Sequence, residues 1–132
     1  MTGAGLLDTS VFIAAESGRD LDVDLLPDES FVSVVTVAEL EAGVLAAATT
    51  DVRARRLKTA QRVASISTLP IDTPAAAAWA RMRVMLHEEG HRVGVNDLWI
   101  ASVAVSRGLP VITQDDDFDV LAELGLLEVV GV

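Results

Sequence analysis

The chain contains no cysteine, which excludes disulfide scaffolds, cysteine-ligated zinc and thiol catalysis. Basic residues are scarce: 10 Lys+Arg stand against 20 Asp+Glu, a formal net charge of −10. A net anion repels a polyanion, so indiscriminate binding to nucleic acid or to an anionic membrane is disfavoured. No apolar stretch approaches the roughly 20 residues of a membrane span. The opening MTGAGLLDTS has neither a basic segment nor a long apolar run, so no leader is expected. Repeats, low-complexity segments, linkers and glycine-rich phosphate loops are missing as well. What remains is 132 residues with a hydrophobic share of 51%, enough for a core and too apolar for a disordered acidic tail. The expectation is a soluble, cytoplasmic chain with residues 1–132 forming one domain.

The charges that are present cluster. Six acids and one base, Arg19, lie between Glu16 and Glu29, whereas Arg53 to Arg62 holds five bases and no acid. No base follows Arg107. Solvated faces are the ordinary explanation of such runs. Arg53, Arg55, Arg56 and Arg62 are also candidates for contact with phosphate, because helical spacing places Arg55 and Arg62 on one face and Arg53 and Arg56 on another.

Short apolar runs alternate with helical segments along the chain. Strands are expected at Gly5–Leu7, Phe31–Val35, Thr68–Ile71, Leu109–Thr113 and Leu126–Val130. Helices are expected over Val11–Glu16, Val37–Ala48, Asp51 to about Ser65, Ala75 towards Glu89, Asp97–Arg107 and Asp117–Leu124. Thr36, Asp51 and Asn96 read as caps, and Gly18 to Glu29 as a loop or broken short helix. The strand runs show no period-2 pattern, which suggests burial on both faces. That is the mark of an α/β sandwich with a mostly parallel sheet.

In such sheets ligands sit beyond the carboxyl ends of the strands. Asp8 follows the first strand, Glu39 lies in the first helical turn after the second, Asp97 opens a helix, and Asp115 follows the fourth strand with Asp117 nearby. Oxygen donors without His or Cys suit hard cations such as Mg²⁺ or Mn²⁺. One or two such ions relieve the repulsion among the acids, lower the pKa of a water and neutralise a phosphate. Each acid also has a plainer role: Asp8 as a helix cap, Glu39 in a Thr36-x-x-Glu39 capping box, Asp97 facing a helix dipole, Asp115 in a turn.

The segments LLDTS, VTVAELEAG, NDLWIASVA and VITQDDDF, in that order between Leu6 and Phe118, resemble the four acidic motifs of the PIN-domain ribonucleases. Within these, the chain resembles the VapC toxins of bacterial toxin–antitoxin pairs. The resemblance implies a PIN-like three-layer sandwich with a roughly five-stranded sheet. It implies a metal-dependent endoribonuclease that leaves a 5′-phosphate and a 3′-hydroxyl, forms a homodimer and is neutralised by an antitoxin covering the groove. The implied site acids are Asp8, Glu39, Asp97 and Asp115, with Asp117 as helper. Thr9 or Ser10 would supply a hydroxyl near the metal, and Thr113 would support the site. The run Asp115-Asp116-Asp117 leaves the fourth ligand ambiguous; its place after the strand favours Asp115.

Two other readings compete. His87-Glu88-Glu89-Gly90-His91 matches H-E-x-x-H, the zinc metalloprotease pattern, which needs both His on one helix; Gly90 is expected to end the helix first. A catalytically inactive PIN-type interaction module is the other. The Ala-rich stretches Ala46–Ala48 and Ala75–Ala78 permit close helix approach and fit a dimer or antitoxin interface. Trp79, Trp99, Phe12, Phe31 and Phe118 are expected in the core.

Overall fold

A computed structural model of the chain describes residues 3–132. The leader expectation and the domain start include Met1 and Thr2, which lie outside the described residues. Five strands, β1 (Ala4–Leu7), β2 (Glu29–Ser33), β3 (Ser67–Leu69), β4 (Val111–Thr113) and β5 (Val129–Gly131), form one sheet in the order β3-β2-β1-β4-β5. Every pairing is parallel. Among the described residues six α-helices accompany it, α1 (Thr9–Glu16), α2 (Val34–Leu45), α3 (Thr50–Val63), α4 (Thr73–Glu88), α5 (Val95–Ser106) and α6 (Asp119–Glu123), with one short 3-10 turn at Val23–Leu25.

Adjacent residues on the central strands feed opposite cores. Leu6 and Val111 pack with Met82, Leu98, Ile100 and Phe118, while Leu7 and Ile112 pack with Val32, Leu40 and Val63. Period-2 alternation is therefore present, but both faces are apolar because both are covered. Phe118 is fully buried. Trp79 and Trp99 stack with ring centroids 5.0 Å apart at the edge of the first core. Phe31 and Phe12 are partly buried against the first and second cores respectively.

Several boundaries differ from the expected ones. The Val34-Val35 pair reads as strand by propensity, yet α2 begins there, because the buried Ser33 hydroxyl accepts a hydrogen bond from the Thr36 amide and caps the helix. Thr36 is thus inside α2, and Glu39 sits in its second turn. Thr49, not Asp51, caps α3 through the Val52 amide. Gly94, without any side-chain bond, precedes α5 in place of Asn96. In the Ala-rich stretches, Ala75 and Ala78 are buried in the core between α4 and α5, so half of the second stretch serves packing within the chain.

Gly5 is required by close approach. A Cβ on it would lie 2.9 Å from Ile112 Cγ1 and 3.2 Å from Pro27 Cγ. Gly5→Val is expected to destabilise the fold by about 1–3 kcal/mol through overpacking, read as a lowered urea midpoint; an unchanged midpoint would contradict this account.

Candidate active site

The strand order changes direction at β1, whose neighbours are β2 on one side and β4 on the other. A crevice opens at the carboxyl ends of strands at such a switch point. Asp8 follows β1 there, held by its amide, which donates to Ile112 O at 2.8 Å. The residue is 3% exposed. Oδ2 accepts from the Ser10 hydroxyl at 2.7 Å, the Thr113 hydroxyl at 3.0 Å and the Ser10 amide at 3.4 Å. The two hydroxyl oxygens accept in turn from the amides of Gln114 and Asp115, each at 3.0 Å. Backbone dipoles of the β4–α6 loop are thereby relayed to one oxygen of Asp8. Oδ1 has no hydrogen-bond donor among the described residues.

Glu39 is held from two sides. The Thr9 hydroxyl donates to Oε1 at 2.8 Å, and Asn96 Nδ2 donates to Oε2 at 3.4 Å. Thr9 has a single hydroxyl proton, so Thr36 is the donor in the 2.9 Å contact between those hydroxyls. Neither the capping-box role for Glu39 nor the capping role for Asn96 is realised: both side chains point to the crevice instead of to their own helix ends. Asp8 does cap α1 while also facing the crevice.

Asp97 lies in the first turn of α5. It lines an open cleft of about 390 Å³ together with Asp8, Glu39, Asp115 and Asp117. All five acids singled out from the sequence are therefore brought to one place. Partial burial, followed by the charges of Asp8, Asp117, Glu39 and Asp115, pushes the Asp97 carboxyl up from 3.8 to about 6. Asp115 is raised too, by burial and by Asp8 and Asp117, against a lowering by Arg19. Arg19 lines the cleft and is the one basic group there; the acidic run around it gives no hint of this. Gln114 separates Asp115 from β4, and both Asp115 and Asp117 are exposed.

The PIN-domain profile matches residues 5–124. The chain belongs to the PIN-domain family. Within it the chain belongs to the VapC ribonucleases, being 61% identical over 129 residues to "Ribonuclease VapC5" of Mycobacterium tuberculosis, with 98% of this chain and 96% of that one covered. "Ribonuclease VapC4" of the same organism is 39% identical, covering 94% of this chain and 95% of that one. The crystal structure of VapBC-5, a toxin–antitoxin system of M. tuberculosis, superposes with a TM-score of 0.91 at 57% identity over 98% of each chain. VapBC2 from Rickettsia felis shares the fold, with a TM-score of 0.81 at 19% identity over 98% of each chain.

For a PIN domain, the donor set fits a hard divalent cation: oxygen ligands only, one Asp8 oxygen without a donor, and two carboxyls, Asp97 and Asp115, whose pKa values are raised by burial and by neighbouring acids. Among the described residues no three such side chains are already drawn tightly enough to hold an ion. Hydroxyl contacts fix Asp8 and Glu39 in place. The H-E-x-x-H match fails geometrically. α4 ends at Glu88, Gly90 turns at φ +73°, and His91 lies beyond the helix, as expected from Gly90. Of the arginines, Arg55 and Arg56 line a cleft beside the acids. Arg53 instead donates to Ala47 O at 3.3 Å, and Arg62 is exposed in the last turn of α3, away from that cleft.

The raised Asp97 pKa has a stability consequence. Between pH 3.8 and about 6 the folded state binds more protons than the unfolded chain, so stability falls as pH rises through that window. Asp97→Asn should therefore stabilise the protein at pH 7, by about 1 kcal/mol once screening of a half-exposed carboxyl is discounted. The same substitution should flatten stability between those pH values in urea melts. Mg²⁺ should raise the melting temperature of the unsubstituted protein at pH 7, less so of Asp97→Asn. Equal pH slopes for the two proteins would sink this assignment.

Proposed function

We propose that the protein is a Mg²⁺- or Mn²⁺-dependent endoribonuclease toxin, inhibiting translation and growth and neutralised by a cognate antitoxin. The observation that carries this is the convergence of Asp8, Glu39, Asp97, Asp115 and Asp117 on one cleft at the β1/β4 switch point. The names of the relatives, ribonucleases and VapBC toxin–antitoxin complexes, give the polymer and the kind of partner. Asp8, Asp97 and Asp115 are the residues we assign to hold the cation, with Glu39 and Asp117 beside them. A bound divalent ion supplies neutralisation of phosphoryl charge and a water of lowered pKa.

The chain's own residues do the rest. Ser10 and Thr113 immobilise Asp8 through Oδ2, so that Oδ1 is presented in a fixed direction. Thr9 and Asn96 hold the two oxygens of Glu39 towards the same cleft. Water oxygen attacks phosphorus, the P–O3′ bond breaks, and the O3′ takes up a proton. The products are a 5′-phosphate and a 3′-hydroxyl. RNA of the transfer or ribosomal class is the substrate this reading favours, and the cytoplasm its location. Among the described residues no helix is long and apolar enough to cross a membrane. The zinc-protease reading has no observation in its favour once His91 leaves the helix, and retention of every acid speaks against an inactive module.

Purified protein should cleave RNA with Mg²⁺ and stop on addition of EDTA. Ser10→Ala and Thr113→Ala should slow cleavage by roughly 10–100-fold, and Asp8→Asn or Asp97→Asn by more. Cleavage that survives chelation, or full activity of either Asn variant, would overturn the proposal.

We also propose a homodimer. Leu45, Val95, Val84 and Met85 leave large apolar side chains in solvent, 82% exposed at Leu45 and 71% at Val95, which a second copy of the chain would cover. Sedimentation at micromolar concentration should show a dimer; a monomer alone would count against it.

A further inference from the structure

A second cleft, of about 480 Å³, opens beside the acidic one and shares Thr9, Ile13 and Glu39 with it. Its walls come from α1, α2 and α3, so whatever occupies it lies next to the reacting phosphodiester. Ile13, Leu40 and Val52 give it apolar walls, and four charged side chains line it: Glu39 and Arg56, and a further pair of opposite sign, Glu16 and Arg55. These two do not neutralise each other: the only ion pair among the described residues joins Arg107 to Asp72. The Thr59 hydroxyl donates to Glu16 Oε1 at 2.7 Å, which fixes the carboxylate. Glu16 Oε2 and the Arg55 guanidinium have no partner among the described residues. Neighbouring Arg56 is occupied, its Nη1 donating to Gly43 O at 2.7 Å.

Resting on the ribonuclease reading above, we propose that this second cleft is a guanine-binding subsite formed by Glu16 and Arg55, which selects where the RNA is cut. An apolar cleft with a few placed polar groups suits a flat heterocycle, and an unstacked base of single-stranded RNA is the part of the substrate that can enter it. The charge pair chooses the base. Guanine alone carries two parallel N–H donors, on N1 and N2, that match a carboxylate, together with the acceptors O6 and N7 that match an arginine fork. Adenine and cytosine offer a carboxylate one amino group, and uracil one imide N–H. The apolar residues cover the ring faces, and Thr59 keeps the Glu16 carboxylate from rotating away.

The test uses the full chain with Asp97→Asn to suppress cleavage. With Mg²⁺ present, fluorescence anisotropy measures binding of short oligouridines carrying one central guanine, inosine, adenine or cytosine. The guanine oligonucleotide should bind about tenfold more tightly than the adenine, cytosine or all-uridine ones. Inosine, which lacks the N2 amino group, should fall between. Adding Glu16→Gln should abolish the difference between guanine and inosine, and adding Arg55→Gln should remove most of the guanine preference. Gln at position 16 still accepts from Thr59, so the fold is kept. Equal binding of all the oligonucleotides, a preference for cytosine, or a guanine preference unchanged in both variants would overturn the subsite. Failure of the unsubstituted protein to cut any of these RNAs would instead count against the nuclease reading, since the binding comparison needs no cleavage.

Discussion

The fold has to hold five carboxylates against one another at the end of a parallel sheet, and that repulsion is the constraint on which the rest depends. Left to itself, such a group would swing into solvent and dissipate its charge. Asp8 cannot, because it is 3% exposed and its Oδ2 is tied to Ser10 and Thr113. Those hydroxyls are polarised by the amides of Gln114 and Asp115, so β1 and the loop after β4 are joined through one carboxylate oxygen. Hydrogen bonds to a charged acceptor are each worth roughly 1.5–3 kcal/mol. They offset a large part of the desolvation of Asp8. Asp97 lacks such donors among the described residues, and there partial burial, with the charges of the neighbouring acids adding to it, raises the pKa.

The formal charge of −10 describes the molecule poorly at the scale on which RNA would meet it. Charges are screened over about 8 Å at physiological salt, so the acids of the cleft and the arginines of α3 act locally. The acids gather at the strand ends, whereas Arg55 and Arg56 line the adjoining cleft with Glu39 between the two. A polyanion approaching this edge encounters alternating signs instead of a uniform negative field. Net charge thus excludes indiscriminate backbone binding without excluding a selective grip.

The parallel sheet and the five acids are legible in the sequence, because a buried strand followed by an acid leaves a local trace: an apolar run, then Asp8-Thr9-Ser10 or Gln114-Asp115. The caps are less legible. Val34-Val35 looks like strand until the covered Ser33 hydroxyl is seen to accept from Thr36, a contact that tertiary burial makes worthwhile. Asn96 and Thr36 were each expected to serve their own helix, and both serve Glu39 or its neighbour across a sequence gap instead. Arg19 at the cleft and Glu16 beside it are invisible for a related reason. Glu16 ends an expected helix and Arg19 opens the expected loop, both in a run of acids that reads as a solvated face, and only the packing of α1 against α2 and α3 places them at a site.

The acids also differ in how firmly the fold holds them, which bears on the ambiguity at Asp115-Asp116-Asp117. Asp8 is buried and anchored on a strand end, and Glu39 and Asp97 project from the early turns of helices that pack on the sheet. Asp115 and Asp117 are exposed on the loop between β4 and α6, and both line the cleft whereas Asp116 does not. A hard cation takes several oxygen ligands in flexible geometry when the ligands themselves can move. In the metal site proposed above, the rigid members would set the position of an ion, and the loop members would adjust to it. Asp115 and Asp117, two positions apart on one exposed loop, would then share that role. Loss of either leaves the other within reach of the same cleft, whereas nothing else in the fold replaces Asp8.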